Sequence, residues 1–199
     1  MRRGENPFFS IIIVCLNPGE KLRDTLESVE RQTFRDFEAI VKDGLSTDGS
    51  WEEACRAAQQ WTQRRLAEDL AGDSAGRSLR VIRQKDAGIY DAMNQGALKA
   101  RGRYVYFLNC GDLFYSETVL EEMADFIEQK TGAGDGCGIF YGNIFERVTG
   151  QKVASNPRLD AFGCYRNVPC HQACFYAREL LAAHPFETGY RVRADYEQF

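Results

Sequence analysis

The sequence carries no strong excess of charge of either sign and no long hydrophobic run. Lysine and arginine number 25 against 29 aspartates and glutamates, so the net charge is −4. Such a balance gives no global attraction to nucleic acid, and we expect no nucleic-acid partner. The apolar stretch from Phe8 to Leu16 is far shorter than the roughly 20 residues that a membrane-spanning helix needs. We therefore expect a buried first strand there, and membrane contact that is peripheral at most.

Cysteine is present, but its pattern does not suggest disulfides. The seven cysteines are odd in number and spread along the chain, which favours free thiols in a reducing compartment. We therefore expect a cytoplasmic location, with peripheral contact at the inner face of the membrane left open. A zinc site built from Cys164, Cys170, His171 and Cys174 has suitable residue types, but its spacing matches no compact zinc pattern.

The chain has no internal repeats and no linker long enough to separate domains. Its 199 residues are predicted to form a single domain, 1–199. Short apolar strands alternate with segments of helical periodicity, which predicts an α/β fold with a mainly parallel central sheet. One local prediction is a capping box, in which Ser50 and Glu53 start the second helix. Residues 194–199 have the pattern of a helix start, but no C-cap follows. The sequence therefore leaves open that the chain is a truncated part of a longer protein.

Three apolar segments are each followed by an aspartate. Ala39 to Val41 leads to Asp43, Val81-Ile82 leads towards Asp86, and Tyr104 to Leu108 leads to Asp112. The carboxyl ends of parallel strands form one edge of a sheet, where ligands bind in α/β proteins. Three acidic groups there would suit a sugar, a ribose and a metal bound to phosphate. A nucleotide-sugar enzyme is the leading hypothesis.

Six segments follow one another in a characteristic order along the chain: Ile13-Val14-Cys15-Leu16-Asn17, Asp43-Gly44-Leu45-Ser46-Thr47-Asp48-Gly49-Ser50, Lys85-Asp86-Ala87-Gly88-Ile89-Tyr90-Asp91, Leu108-Asn109-Cys110-Gly111-Asp112, His171-Gln172 and Ala194-Asp195-Tyr196. This ordered set of motifs resembles the family 2 glycosyltransferases. The resemblance implies the GT-A fold, with helices on both faces of the sheet. It also implies inverting, metal-dependent transfer of a sugar from a nucleotide-diphosphate donor to a glycan or lipid-linked acceptor, as in bacterial cell-surface polysaccharide synthesis.

The resemblance assigns the nucleotide-sugar pocket to residues near the ends of the first three strands. Asp43 would accept hydrogen bonds from a ribose or a base, and Asn17 would line the same pocket. Both are also ordinary turn residues. Asp86 and Asp91 would lie near donor-sugar hydroxyls or the nucleotide, although carboxylates at a helix start are favoured by the helix dipole alone. Lys85 would meet a phosphate, with a surface lysine as the alternative.

Asp112 is the predicted metal ligand. A carboxylate and two phosphate oxygens can hold Mg²⁺ or Mn²⁺, and the cation offsets the charge that develops on a departing diphosphate. The family's usual motif has two acidic residues at this point. Here the first is replaced by Asn109, an amide that coordinates weakly or reaches the metal through water.

The remaining candidates serve the acceptor. The resemblance makes Asp195 the base that removes the proton of the acceptor hydroxyl, and an N-cap is the alternative role. His171 and Gln172 would face the acceptor or the diphosphate, with a hydrogen-bonded core histidine as the alternative. Two other functions stay open. A sugar-phosphate nucleotidyltransferase is disfavoured by the glycine-poor turn after the first strand, and a non-catalytic nucleotide-sugar-binding or partner-binding domain is the main rival.

Overall fold

The computed structural model describes residues 6–70, 76–132, 136–156 and 168–190. Among these residues, six strands form one sheet and two more pair in a separate hairpin. The strands are β1 Phe9–Cys15, β2 Phe37–Asp43, β3 Ser78–Arg83, β4 Tyr104–Phe107, β5 Ile139–Tyr141, β6 Ile144–Glu146, β7 Gln151–Val153 and β8 Cys174–Ala177. The order in the six-stranded sheet is β3-β2-β1-β4-β8-β5, and the hairpin is formed by β6 and β7. The helices are α1 Lys21–Glu30, α2 Ser50–Leu70, α3 Ile89–Ala97, α4 Val119–Thr131 and α5 Arg178–Ala183, with a 3-10 turn at His171–Ala173.

One of the six strands of the sheet, β8, runs against the other five. Strands β3, β2, β1 and β4 are parallel, whereas β8 runs antiparallel to both of its neighbours, β4 and β5. The mainly parallel α/β fold predicted from the sequence is confirmed. The reversal of β8 has a consequence for function, because the start of β8 lies at the same edge as the ends of β1, β2 and β4. This edge is called the rim below.

Helices cover both faces of the sheet, as the resemblance implies. Residues alternate between the two faces along a strand. In β1, Ile11 and Ile13 pack in the core with α1, α2 and α4, whereas Ile12 and Val14 pack with α3 and α5. All seven residues of β1 are buried because both faces are covered. Their continuous apolar character is typical of such a strand.

The edge opposite the rim is held by a buried carboxylate. Glu38 is 1 % exposed and accepts hydrogen bonds from the Ser10 hydroxyl and from the backbone N–H of Arg101. Its second oxygen pairs with the guanidinium groups of Arg80 and Arg101 at 2.7 and 3.1 Å. Gly102 lies so close to β1 that a Cβ there would stand 2.5 Å from the backbone nitrogen of Ser10.

The predicted capping box at the start of α2 is wrong. The backbone N–H of Glu53 donates to the carbonyl of Gly49, while the Asp48 carboxylate accepts the N–H of Ser50. The Glu53 side chain instead pairs with Arg23 of α1 and with Arg56. The Glu53 carboxylate therefore pairs with charges on α1 and α2 and does not cap the helix start, where Asp48 accepts the N–H of Ser50.

Candidate functional site

Asp43 stands at the end of β2 and shapes the loop that follows. Its carboxylate accepts the backbone N–H groups of Leu45 and Ser46 at 3.1 Å, and the Arg83 guanidinium lies 3.5 Å away. The residue is fully buried. The turn-forming role considered for Asp43 is therefore present, and its contact with a nucleotide stays a prediction.

Asn17 and the loop after Asp43 are joined directly. The Asn17 side-chain oxygen accepts the N–H of Thr47 at 2.8 Å, and the Asn17 backbone N–H donates to the Ser46 hydroxyl. The N–H of Gly19 donates to the Asp48 carboxylate. These bonds engage two backbone donors of the β1–α1 turn, so neither is free to cradle a triphosphate. The nucleotidyltransferase alternative is weakened further.

Lys42 is a component of the rim that sequence reasoning missed. This lysine is fully buried, and its Nζ lies 2.7 Å from the Asp86 carboxylate and 2.7 Å from the Gln84 carbonyl oxygen. A buried charge must be paired and hydrogen-bonded to be tolerated. The signal in the sequence was a single lysine within an otherwise buried strand, whose partner lies 44 residues away.

The acidic residues before and inside α3 have different surroundings. The Asp86 side chain is 11 % exposed and also accepts the N–H of Gly88. Asp91 accepts the N–H of Ala87 at 2.8 Å and the side-chain amide of Gln95 at 3.0 Å, which is an N-terminal helix arrangement. Lys85 is exposed at the surface. The buried Lys42 therefore links Asp86 to the end of β2, where Asp43 lies. Asp91, by contrast, stabilises the start of its own helix.

The loop after β4 holds Asn109 and Asp112 in a fixed turn. Gly111 has a φ of 100°, which glycine adopts without strain. Its N–H donates to the Thr25 hydroxyl, which in turn donates to the Asp112 carbonyl. The side-chain oxygen of Asn109 is buried and has no hydrogen-bond partner among the described residues.

The reversal of β8 brings two distant candidates to Asp112. The 3-10 turn before β8 carries His171 and Gln172, and the Gln172 side chain hydrogen-bonds to the Asp112 carboxylate. Burial raises the pKa of Asp112 above its ordinary value, whereas Gln172 and the charge of His171 partly offset that rise. The Tyr106 hydroxyl donates to the Gln172 carbonyl and anchors the turn. Asp112, His171 and Gln172 thus form one cluster.

The surroundings of Asp112 fit a hard divalent cation. Within residues 6–70, 76–132, 136–156 and 168–190, no group of three or more His, Cys, Asp and Glu side chains could hold a metal ion. Mg²⁺, however, uses only one or two carboxylates and completes its shell with water and phosphate oxygens. A half-buried carboxylate in the same turn as an amide oxygen that lacks a partner among the described residues is suited to that role. The zinc hypothesis gains no support, and its Cys164 lies outside the described residues.

Asp195, the predicted base, also lies outside the described residues. In the part of the chain that the structure describes, no helix is long and apolar enough to cross a membrane.

The family is decided by comparison with known proteins. A family model described as Glycosyl transferase family 2 matches residues 10–181. The chain belongs to this family. It is 35 % identical over 192 residues to the PGL/p-HBAD biosynthesis glycosyltransferase of Mycobacterium bovis (strain BCG / Pasteur 1173P2), covering 96 % of this chain and 68 % of that relative. The resemblance inferred from the motifs is confirmed.

Solved structures agree on the GT-A fold. Mannosyltransferase PcManGT from Pyrobaculum calidifontis, in complex with GDP-Man and Mn²⁺, superposes with a TM-score of 0.61 at 18 % identity, covering 92 % of this chain and 48 % of that one. TarS 1-349 from S. aureus, in complex with UDP-GlcNAc, gives 0.60 at 19 % identity, covering 89 % and 47 %. The chain thus spans about half the length of these solved structures.

Family 2 membership confirms the assignment to the glycosyltransferases. The position of each site residue relative to substrate, the single-domain boundary and the cytoplasmic location stay predictions.

Proposed function

We propose that the protein transfers a sugar, with inversion, from a nucleotide-diphosphate donor to a glycan or lipid-linked acceptor, and that this transfer depends on a divalent cation. The observation that carries the proposal is the cluster of Asp112, His171 and Gln172 beside Asn109, assembled at the rim from segments about 60 residues apart in sequence. Solved structures of similar fold in complex with GDP-Man and Mn²⁺, or with UDP-GlcNAc, support the same ligand class.

Different residues along the rim would bind different parts of the donor. Asn17 and the loop held by Asp43 would bind the nucleoside, with Asp86 and Lys85 on the donor side. Asp112 and Asn109 would hold Mg²⁺ or Mn²⁺, which when bound supplies charge neutralisation for the diphosphate.

At the acceptor side, His171 and Gln172 would position the acceptor next to the diphosphate. Asp195 would accept the proton of the acceptor hydroxyl as its oxygen attacks the anomeric carbon and the nucleoside diphosphate leaves.

A thermal-shift panel of UDP, GDP, dTDP and CMP with and without Mn²⁺ tests donor and metal together. A ligand at a hundredfold excess over its Kd adds about 2.7 kcal/mol of stability, or roughly 5 to 11 °C for a domain of this size. We expect one nucleotide to give such a shift only with Mn²⁺. Asp112→Asn should lose the metal-dependent part, whereas Asp125→Asn, an exposed aspartate on α4, should keep it.

Turnover separates the enzyme from the non-catalytic alternative. Slow, metal-dependent release of nucleoside diphosphate from the cognate donor indicates a catalytically active site. Asp112→Ala should lower the rate of that release by about a hundredfold or more. Nucleotide binding without any release, even with acceptor present, would favour a binding domain. An Asp112 variant with unchanged turnover and metal dependence would refute its assigned role.

A further inference from the structure

Two thiols face each other beneath the rim. Cys15 ends β1 and Cys110 follows β4. The N–H of Leu108 donates to the Ile12 carbonyl and the N–H of Cys110 to the Val14 carbonyl, so the parallel ladder continues past the end of β4. Because Ile12 pairs with Phe107, this continuation places Cys110 directly opposite Cys15.

The two side chains also lie on the same face of the sheet. Cys15 belongs to the core between the sheet and α1, α2 and α4, and Cys110 packs against that core. The neighbouring Cys110 thiol, together with burial, raises the pKa of the Cys15 thiol above its ordinary value, as expected of two thiols that lie close together. Both cysteines are free, Cys15 buried and Cys110 half-buried, so a small oxidant has access to Cys110.

We infer that Cys15 and Cys110 are a modification site at which a peroxide forms a reversible disulfide that weakens donor binding. Neighbouring strands lie about 4.7–4.9 Å apart, within the roughly 4.4–6.8 Å over which disulfides join two Cα atoms. The second half of the inference rests on the proposed function, whereas the first half rests on geometry alone.

The chemistry balances with a peroxide as the two-electron oxidant. Hydrogen peroxide transfers one oxygen atom to the Cys110 thiol, which becomes a sulfenic acid, and one water is released. The sulfur of Cys15 then attacks the Cys110 sulfur, and the hydroxyl leaves with the Cys15 proton as a second water. Two thiols and one peroxide give one disulfide and two waters. An external dithiol reverses the bond by thiol–disulfide exchange.

The disulfide would act on both sides of the donor site. The Cys15 Sγ lies 3.9 Å from the Asp43 carboxylate as a weak donor, and forming the disulfide removes that proton. Cys110 stands between Asn109 and Asp112, so the same bond tethers the loop proposed to hold the cation. Drawing the two sulfur atoms to the S–S bond length of about 2.05 Å would shift this loop, and with it Asn109 and Asp112, so donor affinity falls.

Peptide mapping of the whole chain tests the bond without reference to activity. Trypsin cleavage gives peptides 4–21 and 104–130, each with a single cysteine, Cys15 or Cys110. After hydrogen peroxide treatment we expect these peptides to be joined, lighter by two hydrogen atoms, and separated by dithiothreitol. Cys110→Ser should abolish the joined species, and Cys137→Ser, at an exposed cysteine elsewhere, should leave it. Folded protein that yields no joined species would overturn the inference.

Nucleotide binding tests the consequence. We expect peroxide to weaken the Mn²⁺-dependent binding of the cognate nucleotide at least tenfold, and dithiothreitol to restore it. Cys110→Ser and Cys15→Ala should bind with the same affinity before and after peroxide. Joined peptides with unchanged affinity would overturn the control of donor binding. Reduced protein that binds no nucleotide would count against the proposed function, while the peptide map would still decide the disulfide.

Discussion

Replacing Lys42 by methionine should destabilise the whole domain, although the new side chain keeps nearly the same shape. The ammonium group is fully buried and lies 2.7 Å from both the Asp86 carboxylate and the Gln84 carbonyl. Without it, the Asp86 carboxylate stays 11 % exposed and has lost its ion-pair partner. Removing one member of a buried ion pair costs about 3–5 kcal/mol, since the other charge remains poorly solvated. For a domain of this size, that corresponds to a fall in Tm of roughly 6–20 °C.

Urea and thermal unfolding of a double-mutant cycle measure this effect. Lys42→Met with Asp86→Asn should be less destabilised than the sum of the two single variants, because the double variant no longer contains an unpaired charge. Lys152→Met, at an exposed lysine of β7, should change the free energy of unfolding by no more than about 0.5 kcal/mol. A Lys42→Met cost below about 1 kcal/mol, or strictly additive single effects, would refute the inference that this pair holds the rim together.

Two further predictions concern the opposite edge of the sheet. Burial opposes ionisation of Glu38, but Ser10, the Arg101 N–H and the two guanidinium groups outweigh it and hold its pKa below the ordinary 4.5. The stabilisation is therefore complete above that value and is lost as the pH falls through the lower, folded-state pKa, so Glu38→Gln should cost about 2 kcal/mol at neutral pH and progressively less in acid. Urea unfolding of both proteins from neutral to acidic pH checks this. A difference in the free energy of unfolding that does not change with pH would contradict the prediction. Gly102→Ala should cost about 2–3 kcal/mol in the same melts because its Cβ would strike the β1 backbone, whereas Gly138→Ala, which has open space, should be nearly neutral; equal effects would show that close packing is not the cause.

Much of the architecture was predictable because it depends on local patterns. The apolar run in β1 predicted a strand covered on both faces, and its seven residues are all buried. The alternation of strands with amphipathic segments predicted the mainly parallel sheet, and the ordered motifs identified the family. Asp112 was placed at the rim for the same reason, since it follows an apolar strand in a chain of βα units.

Local patterns failed where more than one partner was available. Ser50 and Glu53 have the spacing of a capping box, yet Glu53 pairs with Arg23 and Arg56. The spacing of a capping box takes account only of neighbours along the chain, whereas Arg23 lies on another helix, α1. Asp91 shows the opposite outcome, because the N-terminal helix role considered for it is the one observed.

Features that depend on distant neighbours required the tertiary structure. Short strands have the same side-chain alternation in parallel and antiparallel pairs. The reversal of β8, which brings Gln172 to Asp112, could therefore not be predicted from the sequence. Lys42 could be seen as a charge in a buried strand, but its partner Asp86 could not, because the pairing depends on how β2 meets the loop before α3. The energy of a buried charge depends on what lies within a few ångströms of it, and that is settled only when the chain has folded.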